Sequence, residues 1–242
     1  MLFRTPTDDP KDNLSFYENE YTQGFTTEVP SEAELVQFRN ANFIGSPRDY
    51  SYYISTLNQL GLKSGAKIFD YGCSWGYGSY QLINAGFEVV SFEISPTRRR
   101  FARENLGIVT ADDIESVATE LANTFDCFFS AHVLEHVPSP SHSFGYAMRL
   151  LKTDGVFVSF TPNGSDGYRA KSSIWSKAWG EVHPTFIDVV FLDNSFRRSP
   201  RVVGSSPVNN ASFPDQSELK RLDKVDRAEL FFAARKVGNY WG

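Results

Sequence analysis

Cysteine is scarce in this chain: its 242 residues hold two, Cys73 and Cys127, far apart and in no CxxC or Cys/His spacing. That excludes a disulfide scaffold and a zinc site built on them, and makes a reducing cytosolic setting the natural expectation. Long apolar runs are missing too. No window approaches about 18 consecutive apolar residues, and the opening "MLFRTPTDDPKDN" has no apolar signal core, so a cytoplasmic protein without membrane insertion is expected. Positive charge is outweighed, with 24 Lys and Arg against 29 Asp and Glu and a formal net charge of -5. Nucleic acid and anionic membrane therefore meet no basic field here, and a small-molecule partner is favoured. Histidine is rare as well, four in the chain, so few imidazoles are available for proton transfer.

Aromatic residues are plentiful instead, with 21 Phe, 11 Tyr and 4 Trp. They exceed what a bare core requires and are compatible with an aromatic-lined pocket. The length suits one large domain, or one domain with an appendage. Residues 1–62 read as an N-terminal arm and helical extension. Within it, Ser31 with Glu34 forms a capping box, and a second helix over about 47–60 stops at Gly61.

From residue 66 the runs "KIFDYG", "FEVVSFE", "GIVTA", "FDCFFSA" and "GVFVSFTP" alternate with helical stretches, as expected for parallel strands buried on both faces. Helices are expected over 76–85, from Ser95-Pro96 to Gly107, and near 139–151. A polar and aromatic insert over 162–200 breaks the rhythm, with "TFIDVVFLDNSFRR" helical inside it. "RVVGS" and "AELFFAARK" then give two more strands that can pair antiparallel at the sheet edge. The expectation is an α/β domain over 63–242, with seven strands in a mostly parallel sheet and helices on both faces.

The string "FDYGCSWGYGS" at 69–79 places Gly72, Gly76 and Gly78 between a strand and a helix. Glycine serves where the backbone takes positive φ or where something approaches closely, so the cluster predicts a binding turn. Following the first strand of a βαβ unit, it faces the ligand crevice of an open sheet. Its G-x-x-x-G-x-G spacing fits the dinucleotide fingerprint poorly, which disfavours a nicotinamide oxidoreductase.

Asp70-Tyr71-Gly72-Cys73-Ser74-Trp75-Gly76 resembles the first motif, D/E-x-G-x-G-x-G, of the class I S-adenosylmethionine-dependent methyltransferases, with Ser74 replacing the middle glycine. Glu93 in "VVSFEIS" stands 23 positions after Asp70, and "FDCFFSAHVLEHVPSP" at 125–140 is similar to the fourth-strand segment of the small-molecule branch, which includes ubiquinone-type and sugar-type enzymes. The resemblance covers about 66–161. It implies a Rossmann-like fold and S-adenosylmethionine as cofactor. Asp70 and the backbone of Gly72, Cys73, Ser74, Trp75 and Gly76 would meet the methionine end. Glu93 would accept the ribose hydroxyls and Ile94 would pack on adenine. Asp112 or Asp113 would receive the adenine amino group, with Ala131 and His132 beside the cofactor at the end of the fourth strand.

The sulfonium brings an activated methyl group, so the protein has to align an acceptor, exclude water and take up a hydroxyl proton. His183, His136 and His132 are the candidate bases, while His142 reads as an exposed helix residue. Cys73 reads as a small core residue, Arg98–Arg100 as a solvated face, Trp75 and Tyr77 as cofactor-side packing, and Tyr21 and Tyr50 as covers from the N-terminal arm. Asp112 and Asp113 have no companions at metal-ligand spacing, so no metal is expected. "SAHV" stands where amine and amide methylating enzymes carry N-P-P-[YF], which favours an oxygen acceptor: a sugar or glycan hydroxyl first, a quinone-like phenol next. A non-catalytic cofactor-binding or scaffold protein is an alternative, and an RNA methyltransferase is disfavoured by the acidic balance.

Overall fold

The apolar strings become strands because they can bury both faces. In the computed structural model, which describes residues 1–3, 28–178 and 183–238, β1 (Leu2–Phe3) is followed by β2 (Lys67–Tyr71), β3 (Glu88–Phe92), β4 (Thr110–Ala111), β5 (Phe125–Ala131) and β6 (Leu151–Pro162). Then come β7 (Thr185–Phe186), β8 (Arg201–Ser205), β9 (Leu219–Arg221) and β10 (Glu229–Arg235). Along β5, Phe128 points into one core cluster with Phe69, Phe157 and Phe232, and Phe129 points into another with Ile68, Phe160 and Phe231. This period of two places a core on each side of the sheet.

The main sheet has eight strands in the order β4-β3-β2-β5-β6-β10-β8-β9, with β2 to β6 parallel. Two expectations are corrected. The eighth strand, β9, lies in the charged connection and pairs parallel with β8; it is three residues long and has no apolar run to betray it. The antiparallel strand β10 is not at the edge but sits between β6 and β8. Its five central residues are all buried, which requires a neighbour on each side.

Helices α1 (Glu32–Asn40), α2 (Ser51–Gln59), α3 (Tyr77–Asn84), α4 (Pro96–Phe101), α5 (Ile114–Glu120), α6 (Pro140–Leu150), α7 (Asp166–Arg169) and α8 (Val189–Ser195) complete the layers. Ser31 and Glu34 form the expected capping box on α1. Ser95 caps α4, a π-turn over Ala102–Leu106 extends it, and Gly107 ends it in the left-handed conformation. Leu57 of α2 is fully buried in the same cluster as Ile68 and Phe160, so the N-terminal extension packs on the sheet itself.

The insert divides. Ile187, Val189, Leu192 and Phe196 belong to the core, with Asp188 capping α8, whereas β7 pairs antiparallel with β1. The segment "TFI" is therefore strand and loop rather than the start of the helix. Tyr21 lies outside the described residues. No helix among the described residues is long and apolar enough to cross a membrane.

Candidate active site

The carboxyl ends of β2, β3, β5 and β6 share one edge of the sheet, and the residues singled out from the sequence gather there. After β2 the chain turns through Gly72, Ser74 and Gly76 at φ of +82°, +53° and +89°. Ser74 takes a left-handed conformation that costs an L-residue about 1–2 kcal/mol. Its N–H donates to Glu93 Oε2 at 2.9 Å, which helps hold the turn in that shape. The Ser74 hydroxyl is buried with no hydrogen-bond partner. Cys73 is 3% exposed, and burial pushes its thiol pKa well up, so it is an inert core residue.

Glu93 is 5% exposed and ties two loops together. Its Oε1 accepts from Ser95 N–H at 2.9 Å, with Arg98 Nη1 at 3.8 Å. Burial raises its pKa, while the two amides and Arg98 oppose the rise. Asp70 is deeper, with Ser79 Oγ donating to Oδ2 at 2.5 Å. Its burial outweighs the Ser79 bond and, with Glu93 adding repulsion, moves its pKa up to about 6. Ile94 packs half-buried against the first core cluster and Ala131 against the second.

Three expected cofactor residues sit differently from one another. The ring of Trp75 is fully buried with Leu35 and Phe43, so this residue offers the turn its backbone. Asp113 is committed to capping α5, accepting from Glu115 N–H and Ser116 Oγ. Asp112 has a 72% exposed side chain, 3.7 Å from Arg99.

Gly78 serves packing. A Cβ there would lie 2.3 Å from the ring of Tyr50, which is buried against Tyr53, Tyr77 and Phe129 rather than lining an open pocket. Gly78→Ala is expected to destabilise the fold by up to about 2 kcal/mol, because overpacking of about 1–3 kcal/mol outweighs the helix-propensity gain of about 1 kcal/mol. A thermal melt should show a midpoint lower by several degrees; an unchanged or higher midpoint would contradict this role.

At the end of β5, His132 adopts φ +55° while its N–H donates to Phe160 O at 2.8 Å. Its Nε2 is 2.6 Å from Glu229 Oε1 and its Nδ1 is 3.3 Å from Glu135 Oε1. Tyr53 Oη donates to the same Glu229 oxygen at 2.9 Å. Desolvation opposes a charged ring, but the two carboxylates prevail and lift its pKa to about 10. Since 47% of the side chain is open to solvent, proximity of the carboxylates rather than enclosure is the cause. His132 is therefore protonated at neutral pH and is the least suited of the three histidines to act as a base.

Beyond it, Glu135, His136 and His183 bring ligand-type atoms within 4.8 Å of one another. The rings of His136 and His183 meet edge-on with centroids 4.5 Å apart. Thr185 makes this possible, its N–H donating to Glu135 O at 3.3 Å and its Oγ1 to Leu134 O at 3.1 Å. The insert is thereby laced to the segment after β5. Glu135 is 1% exposed; burial opposes its charge, but His132 and His136 prevail and hold its pKa down to about 2.

Glu135, Glu229, Tyr53 and Ser79 were not singled out from the sequence. Glu229 had a signal in principle: as the first residue of an antiparallel strand, paired with Pro162, it reaches the same sheet edge as the carboxyl ends of the parallel strands.

Residues 69–159 match the family model described as a methyltransferase domain. The match spans the glycine turn anchored by Glu93 and the central strands of the sheet, so this part of the chain is similar to methyltransferase domains. Among curated proteins it is similar to the ubiquinone biosynthesis O-methyltransferase of Xanthomonas oryzae pv. oryzae, 29% identical over 118 residues that make up 46% of this chain and 48% of that protein. The chain thus spans about half the length of the curated relatives it matches first. Among solved structures, a SAM-dependent methyltransferase from Archaeoglobus fulgidus superposes with TM-score 0.56 at 15% identity, covering 85% of this chain and 100% of that one. A TehB-like SAM-dependent methyltransferase from Corynebacterium glutamicum does so with TM-score 0.55 at 18% identity, covering 85% and 97%. These two likenesses concern the fold.

Proposed function

We propose that the protein transfers a methyl group from S-adenosylmethionine to a hydroxyl of a small molecule. One observation carries this reading: the glycine turn with Glu93 and the cluster of Glu135, His136 and His183 lie at the same edge of the sheet. On this reading a cofactor site and a proton-handling site share that edge. The turn suits the cofactor, because the buried Ser74 hydroxyl lacks a partner and each Glu93 oxygen keeps a lone pair beyond its amide bond.

When bound, S-adenosylmethionine supplies a methyl group already activated by its sulfonium. Asp70 attracts the ammonium of the methionine end, Glu93 accepts the ribose hydroxyls, and Ile94 gives adenine an apolar neighbour. Asp112, exposed after β4, is available to the adenine amino group, while Asp113 is occupied as a cap. His183 and His136, backed by Glu135, take up the acceptor proton, and the insert over 162–200 covers the acceptor side. The O-methyltransferase relative supports oxygen as acceptor and favours a ring hydroxyl of quinone type over the sugar hydroxyl expected from the sequence.

Turnover of labelled S-adenosylmethionine against phenols, nucleotide sugars and glycans tests the reading. Methyl transfer to a phenol is the expected outcome, and binding of the cofactor without turnover on any panel member would leave a cofactor-binding protein instead. Cofactor affinity should also depend on pH. An ionised Asp70 attracts the ammonium and a protonated one does not, so with its pKa at about 6 affinity should fall about tenfold from pH 7 to pH 5. Calorimetry at the two values checks this, and Asp70→Asn should flatten the dependence.

A further inference from the structure

We propose that Glu229 is a positioning residue for the methyl transfer: through the ring of His132 it fixes the buried carboxylate of Glu135, on which His136 and His183 rely. The inference rests on the proposed function for the reaction it serves. Segments distant in sequence meet to make this chain of contacts. Tyr53 of α2 donates its hydroxyl to Glu229 Oε1 at 2.9 Å, Glu229 opens β10, and His132 follows β5. His132 Nε2 stands 2.6 Å from Glu229 Oε1, and its Nδ1 stands 3.3 Å from Glu135 Oε1. Both ring nitrogens therefore face carboxylates, and only the doubly protonated ring has an N–H for each.

The need for such a chain arises at Glu135. It is 1% exposed, and a charge buried to that degree has to be paired and hydrogen-bonded. Its Oε2 accepts from Thr161 Oγ1 at 3.0 Å, and its Oε1 has the His132 ring as ion-pair partner. That ring is 47% open to solvent, so Glu135 at 3.3 Å holds it only from one side. Glu229, with a side chain 20% exposed and at the shorter distance, is the firmer anchor. Burial opposes a charge on Glu229, but His132 prevails and keeps its pKa below the usual glutamate value. Burial and the neighbouring Glu229 push the Tyr53 phenol well up, so Tyr53 stays a donor to that carboxylate.

The consequence falls on proton transfer. Two carboxylates and one imidazolium leave a single negative charge over, and Glu135 presents it to the histidine pair. A proton arriving on His136 or His183 is met by a counter-charge already in place, with no rearrangement at the moment of reaction. Without the charge of Glu229, His132 is free to release its proton or turn to solvent. Glu135 then keeps a buried charge with no fixed partner, and the histidines lose the group that orients them.

The test combines nitrogen NMR of the full chain, with isotope-labelled histidine, and steady-state kinetics. Both His132 nitrogens should be protonated at pH 8 in the wild type, and the proton affinity of the ring should fall about tenfold or more in Glu229→Gln. Turnover by Glu229→Gln and by His132→Gln should each drop about tenfold or more, with KM for the acceptor and affinity for S-adenosylmethionine unchanged. The double variant should be no slower than either single one, because both residues act along one path. Tyr53→Phe removes only the hydroxyl that donates to Glu229 and should lower turnover by about twofold to fivefold. It supplies the kinetic test if Glu229→Gln fails to fold by circular dichroism. Single variants as active as the wild type, losses that multiply in the double variant, or a neutral His132 in the wild type at pH 8 would each overturn the proposal. A wild type that methylates no acceptor overturns the proposed function itself, a result told apart from these because it appears before any substitution is made.

Discussion

His183→Ala is expected to lower turnover about 100-fold or more while S-adenosylmethionine binds as before. The imidazole stands against His136 and within reach of Glu135, on the insert and not on the glycine turn. Its removal takes one of three groups from the cluster without touching Asp70, Ser74 or Glu93. Because the cluster is proposed to take up the acceptor proton, the loss falls on kcat. Single-turnover kinetics alongside calorimetry separate the two effects. Full activity would remove His183 from the site, and a loss confined to cofactor affinity would place it there in a different role.

Glu93→Ala should weaken S-adenosylmethionine by about 10- to 150-fold, corresponding to about 1.5–3 kcal/mol for lost hydrogen bonds to a charged acceptor. Two causes combine. The carboxylate no longer meets the ribose, and Ser74 and Ser95 lose the acceptor that fixes their N–H groups. Released from that bond, Ser74 has less reason to keep its left-handed φ, so the turn relaxes toward a shape with less room for ligand. Glu93→Gln should fall between the two, since the amide retains one acceptor oxygen. Unchanged affinity in Glu93→Ala would refute the role.

The sheet was legible because its strands are apolar on both faces and punctuated by helix caps, as at Ser95-Pro96 and Gly107. Strand β9 was not, since a three-residue polar strand leaves no hydrophobic period. The interior place of β10 depends on pairing partners that composition alone does not name. At the site, Asp70, the glycine turn and Glu93 follow one another at recognisable spacing. The cluster around Glu135 does not, because His183 reaches His136 only through Thr185 bonds across the insert. Gly78 illustrates the opposite error: it sits in the glycine cluster read as a binding turn, but its bare Cα makes room for Tyr50.

Titration calorimetry of the protein with S-adenosylmethionine tests the central claim most directly. One site should be seen, weakened by Glu93→Ala and retained in His183→Ala. Absence of binding to S-adenosylmethionine and to its demethylated product, or binding of a nicotinamide dinucleotide in their place, would contradict it.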